Sequence, residues 1–217
     1  MTSKIIAVVV AAAGLSLAAA AGSPAAASSQ RPAAGHMRAG GPPAHAGRRH
    51  TAVALPADGT RVFGAGCAIL PRHGPASKAA LAAAPVAAAI SREPGLTELA
   101  HALQLTGLAR ALDSAGALTV FAPDNAAFHS LGADNLQALL ATRADLVRVL
   151  KFHVVTGRVS PAQLVRHHVV ATAAGTKIHV FRAGKSLGVN NATVTCGNVQ
   201  TANATVYVVN RLVVPAG

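Results

Sequence analysis

Large aromatic side chains are nearly missing from this sequence, which has no Trp, one Tyr and five Phe in 217 residues. A core must therefore be filled by Val, Leu and Ala, and the ring platforms on which nucleic-acid binders stack bases are scarce. Acidic side chains are few as well, seven against 19 Lys and Arg, for a formal charge of +12. A balance this basic invites a polyanionic partner. Yet Arg31, Arg38, Arg48, Arg49 and Arg61 stand against Asp58 in residues 28–62, and the 13 bases and six acids after them are spread without a basic helix or Lys/Arg block. That distribution argues against nucleic acid as the partner.

Catalytic constellations are missing too. A hydrolase needs a nucleophile, a base within reach and a group that orients the base. Ser114, Ser130 and Ser160 fall near helix ends, where capping accounts for them, and Asp124, Asp134 and Asp145 read as caps or first-turn acids on separate elements. His167 and His168 are adjacent rather than four apart, so they do not share a helix face, and His36, His45 and His50 lie in sequence without preset geometry. No Cys-x-x-Cys, zinc helix or phosphate loop occurs, and no Gly-x-Ser-x-Gly nucleophile elbow is expected. The chain is expected not to be an enzyme and to hold no cofactor or metal.

The one long apolar run is at the start. Residues 1–27 read as a secretory signal peptide, with Lys4 before the apolar Ile5–Ala20 stretch and cleavage expected after Ala21 or Ala27. No Cys follows that stretch as a lipoprotein anchor would require, so no membrane span is expected after cleavage. Export changes how the only two cysteines are read, because oxidising compartments let disulfides persist. One bridge between Cys67 and Cys196 is the economical reading, against two free thiols or an intermolecular bond.

Residues 28–62 are rich in Pro, Gly, Ala, Arg and His with no period, the composition of a disordered linker. From Pro75 to Asp113 the pattern is helical, with Leu96, Leu99 and Leu103 on one face and Gly107 opening a second short helix. Leu118–Ala122 reads as a strand that ends at Pro123, and Asp124 as the N-cap of a helix over Asn125–Leu131. A longer helix carries Leu139, Leu140, Leu146, Val147 and Leu150 and breaks near Thr142; Ser160-Pro161 opens another with Leu164 and Val165. Beyond His167 the period is two, with strands at Ile178–Phe181, Thr193–Thr195 and Thr205–Val209 divided by Gly175, Gly184 and Gly197. Helices first and hairpins later make an α+β domain.

Three of these segments resemble the fasciclin (FAS1) family. Thr119-Val-Phe-Ala-Pro-Asp-Asn-Ala-Ala-Phe128 looks like its first motif, Lys151-Phe-His-Val-Val-Thr-Gly-Arg-Val-Ser160 its second, and Thr201–Pro215 its closing strand. The resemblance covers about 84–215 and places the domain at 63–217. Gly66-Cys67, Gly74-Pro-Ala-Ser77 and Thr195-Cys-Gly197 are similar to the secreted immunogenic fasciclin proteins of mycobacteria and related actinobacteria, where the equivalent cysteines form one disulfide. What the resemblance implies is a twisted β-sheet wedge flanked by helices, secreted or held at the cell envelope, non-enzymatic, and monomeric. Its implied partner is an extracellular protein or a cell-wall or host polysaccharide; a carrier of a lipid or small ligand is the alternative.

Within the motifs, Phe121 and Phe128 are expected in the core, and Pro123 and Asp124 at a corner. Many relatives carry Tyr-His in the second motif, a pair tied to adhesion in animal members. Here Phe152-His153 lacks the phenol and its hydrogen bond. His153 is expected to orient its loop through a buried hydrogen bond. Asn191-Ala-Thr193 and Asn203-Ala-Thr205 match the glycan acceptor pattern.

Overall fold

Side-chain caps open several of the helices. In the computed structural model, which describes residues 61–213, the Ser77 hydroxyl accepts from the Ala80 N–H and opens α1 (Lys78–Ala82). The signal-peptide reading of 1–27 and nearly all of the linker reading of 28–62 fall outside the described residues. Pro85 precedes α2 (Val86–Arg92) but has no side chain to cap it. Remote side chains cap it instead: the Val86 N–H donates to Asn203 Oδ1 (2.9 Å) and the Ala87 N–H to Asp113 Oδ1 (2.7 Å). A helix N-terminus leaves several N–H groups unpaired, so these two bonds carry real weight. After a 3-10 turn at Pro94–Leu96 comes α3 (Thr97–Thr106), and beyond Gly107 α4 (Leu108–Ser114). Leu96, Leu99 and Leu103 are all buried, as their spacing requires.

The remaining elements are β1 (Leu118–Pro123), α5 (Asn125–His129), α6 (Ala133–Ala141), α7 (Arg143–Phe152), β2 (Val154–Thr156), α8 (Pro161–His167), β3 (Val169–Ala171), β4 (Lys177–Ala183), β5 (Ser186–Val189), β6 (Ala192–Gln200) and β7 (Ala204–Val209). The break at Thr142 and the Ser160 cap fall as expected, the cap as a full capping box with Gln163. α5 stops at His129, two residues short of the expected end, because the next N–H groups tighten to i−3 bonds, Leu131 to Phe128 O and Gly132 to His129 O, and Gly132 leaves the helix at φ +80°.

Seven strands run in the order β2-β1-β7-β6-β5-β4-β3, with β1 and β7 parallel and every other pair antiparallel. The Ala173 N–H, just past β3, donates to Val154 O of β2 at 2.7 Å, so the sheet curls almost closed. Alternation then gives each face its own core. Leu118, Val120, Ala122, Ala204 and Val206 point to the helical layer with Leu99, Phe128 and Leu146. Phe121, Tyr207, Val209, Ile178 and Val180 point the other way, into the curl, with Phe152 and Leu164. Aromatic scarcity is met by concentration, since Phe63, Phe121 and Tyr207 meet in this second core at centroid distances of 6.3 and 5.6 Å from the tyrosine ring.

One expectation is corrected here. Gly197 does not divide two strands; β6 runs through it from Ala192 to Gln200. Its ladder with β7 shifts register between Val194 and Cys196 and again between Cys196 and Val199, as β-bulges do. The first shift turns Cys196 to the helical side although Val194 faces the curl. Gly197 is glycine because Phe63 pairs with it and lays its ring where a Cβ would stand.

Asn203, in the β6–β7 turn, ties the layers together. Its Nδ2 donates to the carbonyls of Leu112 (2.7 Å), Asp113 (3.3 Å) and Ala115 (2.9 Å), while its Oδ1 caps α2. Asn203→Ala is expected to cost about 2 kcal/mol, since it orphans a helix N–H and several carbonyls at once. Asn203→Asp should be no better, because a carboxylate would face the same carbonyls. Urea unfolding of both variants checks this, and an Asp variant as stable as the parent would contradict it.

Candidate functional site

The first motif lies in the two cores and at a strand-to-helix corner. Phe121 is buried in the curl and Phe128 in the helical core. Pro123 closes the ladder opposite Val209, and the next N–H, of Asp124, donates to Val209 O. Asp124 Oδ1 accepts from the Ala127 N–H at 2.7 Å, the N-cap of α5. The motif thus turns a buried strand into a helix at a fixed corner, with Asp124 reaching the edge of the cleft described below.

The second motif joins the same scaffold. Phe152 lies in the core with Phe121, its ring edge-on to His153 at 6.5 Å. His153 is 2% exposed, and both ring nitrogens have partners: Nδ1 lies 2.7 Å from Val149 O, and Nε2 is 2.9 Å from the Val213 N–H. A carbonyl can only accept and an N–H only donate, so the ring is neutral with its proton on Nδ1. Burial lowers its pKa from 6.5 to about 4, opposed in part by the Val149 bond. Farther along, the Arg158 guanidinium donates to the carbonyls of Thr201, Ala202 and Ala204 and to Gln200 Oε1, gripping the β6–β7 turn. Tyr207 completes the join, its hydroxyl donating to Val159 O at 2.7 Å, and burial pushes its pKa up.

Cys67 and Cys196 form a disulfide across 129 positions of sequence. Cys67 sits in a 3-10 turn, Ala65–Ile69, laid along the bulged part of β6. Phe63 and Gly197 exchange backbone bonds of 3.1 and 2.8 Å, and Asn198 Nδ2 donates to Arg61 O. Beside the bridge opens a cleft of about 280 Å³ between the 3-10 turn, α2 and the β6–β7 face, lined by Leu70, Leu81, Ile90, Val199, Val206 and Val208. The carboxylate of Glu93 reaches it. Its Oε1 accepts a long 3.5 Å bond from the Gly95 N–H, and its Oε2 is buried with no protein partner.

Two further points concern chemistry. Gly184-Lys-Ser-Leu-Gly188 fits the Gly-x-Ser-x-Gly spelling of a hydrolase nucleophile elbow, which corrects the expectation that this spelling does not occur. That motif works on a strand-to-helix turn. Here it spans the β4–β5 hairpin, and Ser186 donates to Val194 O. Among the described residues, no group of three or more His, Cys, Asp or Glu is placed to hold a metal ion.

A nearly closed sheet around an aromatic core, faced by helices and locked by two motifs packed into it, defines a fasciclin-type wedge. The chain belongs to the fasciclin family: the Fasciclin domain family model matches residues 94–215. It is 41% identical over 171 residues to Immunogenic protein MPB70 of Mycobacterium bovis, covering 76% of this chain and 88% of that one. It is 37% identical over 172 residues to Cell surface glycolipoprotein MPB83 of the same species, covering 76% and 77%. Among solved structures, a FAS1 domain pair from the insect cell adhesion molecule Fasciclin I superposes with a TM-score of 0.54 over 62% of this chain, at 12% identity. That likeness shows the fold alone, and the chain spans about half, 52%, of the paired-domain structure. The branch expected from the flanking cysteine motifs is the one these relatives represent.

Sequence reasoning missed Asn203 as a hub, Arg158 as a clamp and Glu93 as a cleft residue. Only Asn203 carried a signal, and it read as a glycan acceptor.

Proposed function

We propose that this protein is an extracellular or envelope-held adhesion module that binds a protein or polysaccharide and catalyses no reaction. Family membership carries the reading, supported by a relative described as a cell surface glycolipoprotein and by a fold shared with an insect cell adhesion molecule. The buried motifs bear on where binding happens. Phe121, Phe128, Phe152 and His153 have no exposed surface to offer, so contact with a partner falls to the faces they support. The test is a pull-down with the full mature chain from envelope and host-surface extracts, beside an unrelated protein of equal positive charge. Selective, saturable binding is expected; binding no better than the control would overturn the reading.

The cleft favours a second reading, a carrier of a small apolar ligand. Glu93 Oε2 is the observation behind it, since a buried acceptor without a partner suits a ligand that brings a hydrogen-bond donor. Native mass spectrometry of protein from its own host separates the two, because a carrier retains its ligand.

A further inference from the structure

We infer that the outer face of β3 and β4 is a docking surface for an acidic polysaccharide, with Phe181 as the platform for one sugar ring, His179 next to it as a hydrogen-bonding group, and Lys177, about 13 Å farther along the strand, for an acid group of a following sugar. The inference rests on the adhesion reading and names its partner class and surface. Its starting point is an asymmetry of charge: the last acidic residue of the chain is Asp145, and eight Lys and Arg follow it. The fold turns this into a division in space. Glu93, Glu98, Asp113, Asp124, Asp134 and Asp145 all lie on the helices α2–α7 or at their ends. The lobe formed by α8, β3, β4 and β5 has no acid to neutralise its bases.

Alternation on β4 sends Ile178 and Val180 into the curl and Lys177, His179 and Phe181 outward. Val169 of β3 stands opposite His179, and the His168 carbonyl takes the Val180 N–H. α8 reaches β3 and β4 from inside the curl through Leu164, while the other helices pack on β1, β2 and β6. Among the described residues nothing covers the outer face, with Phe181 46% and Val169 37% exposed. Phe181 is held in place by its cross-strand partner Gly188, where a Cβ would run into the ring. A phenyl ring supported on one side and open on the other offers the electron-rich face that the C–H groups of a sugar ring pack against. The Lys177 ammonium on the same face, in a lobe without acids, selects an acidic chain over a neutral one. Two exposed apolar side chains on a strand face do not make the inserting stripe of a membrane-surface element, so the glycan is favoured over a lipid bilayer.

The test measures binding of the full mature chain to polygalacturonate, which carries carboxylates, to teichoic acid, which carries phosphates, to neutral dextran and to phosphatidylglycerol vesicles. Three variants are compared, each checked for unchanged thermal unfolding. Lys177→Glu alters the face, Phe181→Leu removes the ring while still covering Gly188, and Arg110→Glu makes the same charge change on α4. Binding to one or both acidic polymers is expected, weakened about fivefold or more by Lys177→Glu and by Phe181→Leu, and less than twofold by Arg110→Glu. Equal effects of Lys177→Glu and Arg110→Glu, no effect of Phe181→Leu, or stronger binding to vesicles than to either polymer would overturn the inference. If neither polymer binds but a protein partner does, this inference falls and the adhesion reading stands; if nothing binds, both fall.

Discussion

Replacing Cys67 and Cys196 together with alanine is expected to lower the unfolding free energy by about 3–5 kcal/mol and the melting temperature by about 10 °C or more. The size follows from the loop: a link across 129 positions removes much of the freedom of the unfolded chain. The native frame around the bond does not depend on it. Phe63 still bridges Gly197, Asn198 still reaches Arg61 O, and Gly64 and Gly66 still let the turn approach Thr195 O closely. The loss should therefore appear mainly through the unfolded state, and reduction of the parent protein should reproduce it. Because Cys196 is buried, alanine also removes packing at the cleft wall, and the difference between the reduced parent and the double variant measures that part. A double variant within 1 kcal/mol of the oxidised parent would show that this argument fails.

Helices were more legible in the sequence than strands. Asp124, Ser160-Pro161 and the break at Thr142 are local signals, and each marks a helix boundary within a few residues of its place. β2, β3 and β5 are three or four residues long, too short for alternation to register. Val154 and Val155 of β2 are adjacent and both buried, so the fragment does not alternate. β5 contains Gly188, which reads as a breaker until Phe181 is seen to cover it from the next strand. Gly197 misled in the same way, because the ring that requires it is Phe63, distant in sequence.

The candidate surfaces were less legible for a related reason. Composition shows a chain of +12 with its bases spread out, which speaks against a basic block. Only folding shows that the lobe of α8, β3, β4 and β5, which holds no acid, turns Lys177 outward on an open strand face. Asn203 matches a glycan acceptor by its own neighbours, yet its amide is committed to three carbonyls about ninety positions away. The motif residues were the easiest to find; Phe121, Phe128 and Phe152 lie buried in the two cores, and His153 is buried as well.

His153 makes the stability of the fold depend on pH. Its folded pKa, about 4, lies below the unfolded value of 6.5, so the unfolded chain takes up a proton that the folded chain refuses. Stability from this group is therefore complete above pH 6.5 and is lost as the pH falls from 6.5 toward 4, by about 3 kcal/mol in all, at up to about 1.4 kcal/mol per unit. Below pH 4 the folded ring is protonated as well, and the second proton meets the Val213 N–H where an acceptor had been. His153→Gln removes the titration while keeping a donor and an acceptor near the same two partners. The variant is expected to be less stable than the parent at pH 7.5, yet to lose markedly less between pH 6.5 and 4.5. Unfolding free energies measured across that range for both proteins isolate the effect, because carboxylates and exposed histidines contribute equally to each. Parallel curves would mean that the ring is not held neutral in the fold. A narrowing gap would show that the second motif acts here as a buried clasp between α7 and the segment after β7.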